Sequence, residues 1–231
     1  MNLNIQILMP THDHNPALFT FDALSLGIYT AMALPPDEGH TLGTMMVPGT
    51  YVHRARQELA ELALKGGATH MLWLDSDMRV PREALVKLLN HDKQVVGINY
   101  SKRSVDADFT AIKHVPVDEK DIGLKCITRE SSTGLEEVDA IGFGCVLMKA
   151  AAFNKLPDPK RKPWFWFDMV NGGNHVGEDV YFCDLLRKSG VKIYVDHDLS
   201  KECSHIGNFE YRCRHAENSL IHDGKLEAEA A

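Results

Sequence analysis

Two aspartates stand one residue apart directly after an apolar segment. Residues 71–74 (MLWL) run into Asp75, Ser76 and Asp77. Burying two carboxylates costs several kcal/mol unless a cation or hydrogen bonds compensate, so a positive charge is expected where this segment ends. Side chains alternate along an extended chain, which predicts both carboxylates on one side, as an Mg²⁺ or Mn²⁺ site requires. A strand-terminal turn capped by Ser76 would also explain the spacing.

Apolar runs alternate with amphipathic segments through the first hundred residues. The predicted strands span residues 2–10, 41–49, 69–75 and 93–100, and the predicted helices span residues 16–33, 51–67 and 81–92. This alternation is typical of a parallel, doubly wound α/β sheet. Open sheets of this kind bind ligands beyond the carboxyl ends of their strands. The polar loop at 11–15 and the aspartates at 75–77 should therefore open on the same edge.

The second half of the chain is less regular. Residues 101–140 are polar with short β-like runs, and residues 141–153 read as a strand followed by a helix. A basic, aromatic loop at 155–168 precedes a predicted helix at 177–190 and a last strand at 191–196. The final eight residues, 224–231, read as a solvated tail.

The totals exclude several classes of protein. The 231 residues, 44% hydrophobic and 25% charged, suffice for one sizeable core, and the net charge of −7 argues against a broad nucleic-acid surface. The five cysteines are odd in number and suggest no disulfide framework, which favours a reducing compartment. No signal peptide and no run of about 20 apolar residues is visible, so a cytoplasmic protein is expected.

Several short segments resemble the motifs of GT-A glycosyltransferases of the family-2 type. The segment LWLDSDM at 72–78 looks like their DxD motif, which binds a nucleotide-sugar diphosphate through a divalent metal. The other matching segments are ILMPTH at 7–12 (first strand and nucleotide loop), ARQELAELAL at 55–64 (arginine-bearing helix), GFG at 142–144 (glycine loop), GED at 177–179 (xED motif) and SHIG at 204–207 (late histidine). The resemblance covers residues 3 to about 210 and implies the GT-A fold, a Rossmann-like, mostly parallel sheet flanked by helices.

The resemblance also implies a site. It assigns the Mn²⁺ or Mg²⁺ ligands to Asp75, Asp77 and His205, with Asp77 as direct ligand and Asp75 on the ribose or bound through water. It assigns the nucleotide-sugar contacts to Pro10, Thr11, His12, Arg56, Asp75, Ser76 and Asp77. It assigns the general base to Asp179, an orienting role to Glu178, and the acceptor contacts to Gly142, Phe143, Gly144, Trp164 and Trp166. One domain of residues 1–223 would then comprise a nucleotide-binding half, about 1–103, and an acceptor half, about 104–223.

Simpler interpretations of these residues stay open. A carboxylate at Asp179 would also cap a helix N-terminus, and a lone His205 would serve equally as a hydrogen-bonded structural residue. Arg54 and Arg56 would otherwise lie on a solvated helix face. The spacing of Cys203, His205, Cys213 and His215 does not fit the usual zinc pairs. Lys102 and Arg103 could add phosphate contacts, and residues 12–14 (HDH) could frame the base and ribose.

The loop at 155–168 is the most unusual segment. In extended geometry Trp164 and Trp166 would face one way, with Phe165 and Phe167 facing the other. The indoles could then carry a sugar ring or a base, with residues 160–162 (KRK) holding an anionic acceptor. The alternative is that the rings belong to the core and the charges are solvated.

The leading hypothesis is a metal-dependent transferase that moves a sugar from a nucleoside-diphosphate sugar to an acceptor hydroxyl. One alternative keeps this chemistry on a hydroxymethylated base in DNA, which residues 160–166 of this loop favour and the net charge disfavours. A second is a non-catalytic nucleotide-sugar or glycan-binding module. A nucleotidyltransferase is disfavoured because the first strand lacks a glycine-rich loop. The sequence identifies neither sugar nor acceptor.

Overall fold

The computed structural model describes residues 2–12, 14–49, 51–103, 108–117, 120–156, 158, 162–170, 174–207, 210–225 and 227. The strands are β1 (Asn4–Thr11), β2 (Thr41–Pro48), β3 (His70–Leu74), β4 (Met78–Arg79), β5 (Val95–Gly97), β6 (Ile112–Val117), β7 (Lys120–Lys125), β8 (Leu135–Val138), β9 (Cys145–Lys149), β10 (Asp168–Val170), β11 (Asn174–Val176), β12 (Ile193–Asp196), β13 (Ser204–Ile206) and β14 (Glu210–Tyr211). The α-helices are α1 (Ala17–Ala33), α2 (Val52–Lys65), α3 (Ala84–Asn90), α4 (Glu178–Lys188), α5 (His197–Glu202) and α6 (Cys213–His222). Short 3-10 helices span Pro36–Glu38 and Ala150–Lys155.

A mixed, mostly parallel sheet forms the centre of the molecule. Within the described residues it has seven strands in the order β2-β1-β3-β9-β5-β12-β8. Strands β1, β2, β3, β5 and β12 point one way, whereas β9 and β8 point the other way. The predicted α/β sheet flanked by helices is thereby confirmed. Both predicted halves of the chain supply strands to it, and β9 from the second half lies between β3 and β5.

The central strands are buried on both faces, which explains why they read as continuous apolar runs. Alternate side chains of β1 and β3 enter two separate cores. One core contains Ile5, Ile7 and Leu72 with helices α1, α3 and α5, and the other contains Leu8 and Trp73 with helices α2 and α4. The sheet is therefore sandwiched between two helical layers.

Helix α2 carries the core-facing stripe that its sequence predicts. Gly66 and Gly67 follow its last turn, and Gly67 has a positive φ of 70°, a conformation that glycine adopts without strain. Ala55, Leu59 and Ala63 are buried as expected, whereas Leu62 is 44% exposed. Helical periodicity in the sequence predicts one buried face of Val52, Ala55, Leu59, Leu62 and Ala63, and this prediction is wrong for Leu62 because it lies at the margin of the stripe. Arg56 is buried instead, and it becomes central to the site.

A small second sheet lies beyond the carboxyl end of β3. Within the described residues its strand order is β14-β13-β4, and its ladder pairs His205 with Met78. The backbone N–H of Ile206 also donates to the carbonyl of Asp77 at 2.7 Å. This pairing brings the late histidine segment beside the aspartates after β3. In the part of the chain that the model describes, no helix combines the length and the apolarity that a membrane crossing requires.

Candidate functional site at the carboxyl edge of the sheet

The two aspartates lie in a tight turn. The N–H of Asp75 donates to the carbonyl of Gly144 at 3.0 Å, and the N–H of Met78 donates back to the carbonyl of Asp75 at 3.1 Å. Extended geometry, on which the same-side prediction rested, therefore ends at Leu74, and both aspartates border one cleft from a turn instead. Asp75 and Asp77 interact with different partners.

Asp75 takes part in a buried network with Arg56 and Glu178. Nη2 of Arg56 donates to both carboxylate oxygens of Asp75 at 2.8 Å, and Nη1 donates to Glu178 at 2.5 Å. Arg56 is only 3% exposed, and its guanidinium lies over the ring of Phe143, 5.3 Å from the ring centre. The predicted contact of Arg56 with a diphosphate is therefore wrong in this arrangement, because the guanidinium is enclosed by protein carboxylates.

The charges of this edge do not balance. Burial would lower the pKa of Arg56, but the carboxylates of Asp75, Glu178 and Asp179 outweigh it and raise that pKa above its ordinary value. Burial raises the pKa of Asp75 and of Glu178 despite the opposing charge of Arg56. Among the described residues, four carboxylates at this edge (Asp75, Asp77, Glu178 and Asp179) face two guanidinium groups (Arg56 and Arg103) and the imidazole of His205. A further cation would be stabilised at this edge.

Asp77 faces His205 and Arg103. Oδ2 of Asp77 lies 3.0 Å from Nη2 of Arg103 and 3.3 Å from Nε2 of His205. Burial alone would raise the pKa of Asp77, but the hydrogen bond and charge of His205 and the charge of Arg103 prevail and lower it. Nδ1 of His205 lies 3.1 Å from the carbonyl of Ser101, and because a carbonyl only accepts, Nδ1 carries a proton.

This geometry suits a shared metal ion. With the proton of a neutral imidazole on Nδ1, the lone pair of Nε2 would face Oδ2 of Asp77, and the two atoms would repel each other. A proton on Nε2 removes this repulsion, and so does a metal ion between the two atoms. Octahedral ligands about 2.1 Å from an ion lie ~3 Å apart, close to the 3.3 Å between these atoms. Asp77 and His205 therefore fit the predicted ion as direct ligands, with the Nδ1 contact orienting the histidine. Both oxygens of Asp75 are engaged by Arg56 and do not join them.

A small cleft lies against the aspartates. It encloses about 120 Å³, and its lining residues are Pro10, Thr11, His12, Gly49, Val52, Ala55, Asp75, Ser76 and Asp77. The end of β1 reaches this edge because Pro10 and Thr11 extend the ladder with β2, one residue beyond the predicted strand. The structure thus brings together the predicted nucleotide residues except Arg56, which is buried beside the cleft.

Tyr100 is a site residue that the sequence reasoning missed. Its ring stands edge-on to His205 with centroids 5.2 Å apart, and burial together with the charges of Asp75 and Asp179 raises its pKa well above the ordinary value. A Cβ on Gly144 would meet the Tyr100 ring at 2.7 Å, and one on Gly142 would meet its hydroxyl at 2.7 Å. The glycine loop is therefore the surface on which Tyr100 packs. The signal in the sequence is that Tyr100 ends the predicted fourth strand, at the edge where ligands are expected.

Asp179 lies in the first turn of α4, beside this network. Its Oδ1 accepts a hydrogen bond from the N–H of Val180 at 2.8 Å, and the residue is partly exposed. Its neighbour Glu178 is 6% exposed and reaches the glycine loop through Arg56, which lies over Phe143. Asp179 thus has the exposure that a proton acceptor needs, whereas Glu178 is buried against Arg56.

Two of the predicted acceptor rings belong to the core. Phe143 is fully buried, and Trp164 is 6% exposed and packs on Phe153 with ring centres 4.9 Å apart. The predicted alternation is wrong because the chain bends at residues 164–165, which buries Trp164 with Phe165 and exposes Trp166 with Phe167. Direct acceptor contact through Phe143 or Trp164 is excluded by this burial. Trp166, 51% exposed and edge-on to His53, keeps an available ring.

The remaining predictions have mixed outcomes. Lys102 pairs loosely with Asp108 at 3.9 Å. Asp13, Lys160 and Arg161 lie outside the described residues, as does most of the tail at 224–231. All five cysteines are free, as expected. Among the described residues, the one set of three potential metal ligands with donor atoms within 4.8 Å of one another is Cys126, Glu136 and His197, so the zinc grouping of 203, 205, 213 and 215 does not form.

A larger cavity lies at the opposite end of the sheet. It encloses about 920 Å³ near the start of β1 and β3, and its mostly apolar lining includes Leu3, His70 and Trp164. Size alone would favour this cavity as a binding site. The carboxyl edge is the stronger candidate because it gathers the charged groups and lies where open α/β sheets bind ligands.

Comparison with known proteins supports the fold alone. The sequence matches no protein-family model and no curated protein. Among solved structures, the protein A197 from STIV is similar, with a TM-score of 0.55 and 16% identity, over 89% of this chain and 86% of that chain. At this identity the likeness extends to the α/β architecture and does not identify an activity.

Proposed function

We propose that this chain is a metal-dependent glycosyltransferase of the GT-A type, which moves a sugar from a nucleoside-diphosphate sugar to an acceptor hydroxyl. The observation that carries the proposal is the Asp77–His205 pair, which faces a common point beside the cleft of Pro10, Thr11 and His12. The order of the sequence motifs and the excess of carboxylates at this edge support it. Residues 1–103 would supply most of the donor side, and residues 104–223 the acceptor side and His205.

Asp77 and His205 would hold the Mn²⁺ or Mg²⁺ ion. A bound divalent ion would neutralise charge on the departing nucleoside diphosphate. His205 keeps its Nδ1 proton on Ser101, which leaves Nε2 free to ligate. A nitrogen ligand favours Mn²⁺ over Mg²⁺.

Asp179 would accept the proton of the acceptor hydroxyl as that oxygen attacks the anomeric carbon. Arg56 holds Asp75 and Glu178 in place, which fixes the start of α4 against the turn of the aspartates. Asp75, partly exposed to the cleft, would meet the ribose. Tyr100 and Trp166 would bound the acceptor side.

The role of Asp179 is tested by Asp179→Asn. This change should remove at least 99% of sugar transfer while leaving donor binding, measured by calorimetry with Mn²⁺, within about threefold. The control is Asp184→Asn on the same helix, whose carboxylate pairs with Arg187 and Lys188. Undiminished turnover in Asp179→Asn would exclude it as the base.

The donor is identified by a screen of nucleotide sugars for Mn²⁺-dependent hydrolysis. Hydrolysis of one donor, lost with EDTA and in Asp77→Asn, is expected. If no nucleoside diphosphate binds with Mn²⁺ and no nucleotide sugar is hydrolysed, the proposal fails. Binding of a nucleoside diphosphate without hydrolysis or transfer would instead point to the non-catalytic module.

The DNA alternative gains no specific support from the described residues. Lys162 of the loop at 155–168 pairs with Glu61, and Trp164 is buried. The exposed indole of Trp166 would serve a carbohydrate acceptor as well as a base. Transfer assays with and without duplex DNA carrying hydroxymethylated bases separate these acceptors.

A further inference from the structure

A second cluster of potential ligands lies apart from the carboxyl-edge site. Cys126 follows β7, Glu136 lies on β8, and His197 is the first residue of α5. Oε2 of Glu136 lies 3.5 Å from the sulfur of Cys126 and 2.9 Å from Nε2 of His197. The three donor atoms all lie within 4.8 Å of one another. Tetrahedral Zn²⁺ with ordinary bond lengths places its ligand atoms ~3.3–3.6 Å apart, so the Glu136–Cys126 and Glu136–His197 pairs already lie near that spacing.

Each of the three potential ligand residues is hydrogen-bonded to a neighbouring group that fixes its orientation. Oε1 of Glu136 accepts from Lys113 at 2.6 Å, which turns Oε2 toward the other two donors. Nδ1 of His197 lies 2.9 Å from the hydroxyl of Thr128. Asn99, fully buried, donates both to that hydroxyl at 3.1 Å and to the carbonyl of Cys126 at 2.8 Å. Partners of this kind orient the first ligands of metal sites in proteins.

The cluster is enclosed but reachable. Cys126 and His197 are 3% and 4% exposed, whereas the Glu136 side chain is 34% exposed. An ion could enter past Glu136, and water could occupy a fourth position. Sulfur, nitrogen and oxygen donors together suit Zn²⁺ and Co²⁺, whereas Mg²⁺ and Ca²⁺ prefer oxygen alone.

We propose that Cys126, Glu136 and His197 bind one transition-metal ion of the Zn²⁺ class. On binding, the thiol proton of Cys126 leaves to solvent, and His197 keeps one proton, at Nδ1 toward Thr128. The ion would tie the end of β7 and the edge strand β8 to the start of α5. Because α5 leads directly into β13, the ion would brace the segment that carries His205 to Asp77.

The proposal is tested by titrating the metal-free protein with Co²⁺. One equivalent should produce the near-ultraviolet charge-transfer absorption of a cobalt–thiolate bond, and Zn²⁺ should displace it. Cys126→Ser should abolish this absorption, and Cys213→Ser, another buried cysteine, should retain it. His197→Ala should weaken Co²⁺ binding at least tenfold. Absence of the absorption in the wild type, or its persistence in Cys126→Ser, would overturn the proposal.

Two controls keep the result specific. His205→Ala should lose Mn²⁺-dependent donor binding yet keep the cobalt absorption, so failure of the transferase proposal is distinguishable from failure of this one. If Cys126→Ser does not fold, Glu136→Gln takes its place, because this more exposed ligand keeps its shape while losing its charge. Zn²⁺ should raise the midpoint of thermal unfolding in the wild type and less in Glu136→Gln. Equal Co²⁺ affinity and equal stabilisation in the two proteins would contradict a metal role for the cluster.

Discussion

At the scale of single residues, Arg56 departs most from what its sequence neighbourhood indicates. It lies on an amphipathic helix two residues after the exposed Arg54, yet its guanidinium is buried between Asp75 and Glu178. Such a pair contributes little net stability, but removal of one partner leaves buried charge uncompensated. Arg56 therefore holds Asp75 and Glu178 in position from inside the protein.

Replacing Arg56 tests this role. Arg56→Met should lower the free energy of unfolding by about 3–5 kcal/mol, because the buried Glu178 and the partly buried Asp75 would be left without their cation. Urea denaturation measures the change. Arg54→Met is the matched control and should shift the free energy by about 0.5 kcal/mol or less. Equal effects of the two substitutions would contradict the assignment.

The packing of Tyr100 on the glycine loop gives a second residue-scale prediction. Gly144→Ala would place a Cβ 2.7 Å from the Tyr100 ring and 2.9 Å from the sulfur of Met78. Overpacking of this kind should cost about 1–3 kcal/mol of unfolding free energy. Gly27→Ala on α1, where a Cβ meets no atom within 4 Å, should instead stabilise by about 0.5–1 kcal/mol. Thermal unfolding of both variants checks the contrast, and a neutral Gly144→Ala would refute it.

At the scale of elements, two strand pairings build the site. Insertion of β9 between β3 and β5 places Gly144 against Asp75, and the β4–β13 ladder places His205 against Asp77. Both pairings are antiparallel and join segments distant in sequence. The cleft therefore depends on short ladders whose geometry sets ligand distances.

Disruption of the β4–β13 ladder should misplace His205. Ile206→Pro removes the N–H that donates to the carbonyl of Asp77 at 2.7 Å. Mn²⁺ affinity, measured by electron paramagnetic resonance, is expected to fall at least tenfold. Ile206→Val keeps the N–H and should bind Mn²⁺ as the wild type does. Unchanged affinity in Ile206→Pro would show that the ladder does not position the histidine.

At the scale of the whole molecule, ligand binding should couple to global stability. The site draws residues from β1, α2, the turn after β3, α4 and β13, so a ligand there binds the folded chain and not the unfolded one. A ligand at a hundred times its Kd contributes about 2.7 kcal/mol. The cavity of about 920 Å³ lies at the opposite end of the sheet, so binding there should not depend on the residues of the carboxyl edge.

A nucleoside diphosphate with Mn²⁺ at that concentration should raise Tm by about 5–10 °C, because each kcal/mol shifts a domain of this size by about 2–4 °C. Differential scanning fluorimetry measures the shift, with Mn²⁺ alone as baseline. EDTA and Asp77→Asn should each abolish it. A shift of the same size in Asp77→Asn would place the nucleotide elsewhere.

The sequence by itself determined the elements and the edge at which ligand groups collect. Apolar runs and helical periodicity are local properties, so β1, β2, β3, α2 and α4 could be predicted from the sequence. Because open α/β sheets bind ligands beyond the carboxyl ends of their strands, residues 75–77 could also be assigned to that edge of the sheet. The same rule, applied to the fourth strand, would have included Tyr100.

Only the tertiary structure decided which groups meet. Arg56 reaches Asp75 from α2, and His205 reaches Asp77 from β13, while Arg56 and its second partner Glu178 are 122 positions apart in the chain. Such contacts depend on strand order and on the turn after Leu74, which local patterns do not encode. For the same reason the burial of Phe143 and Trp164, and the meeting of Cys126, Glu136 and His197 from three separate elements, became visible only in the folded chain.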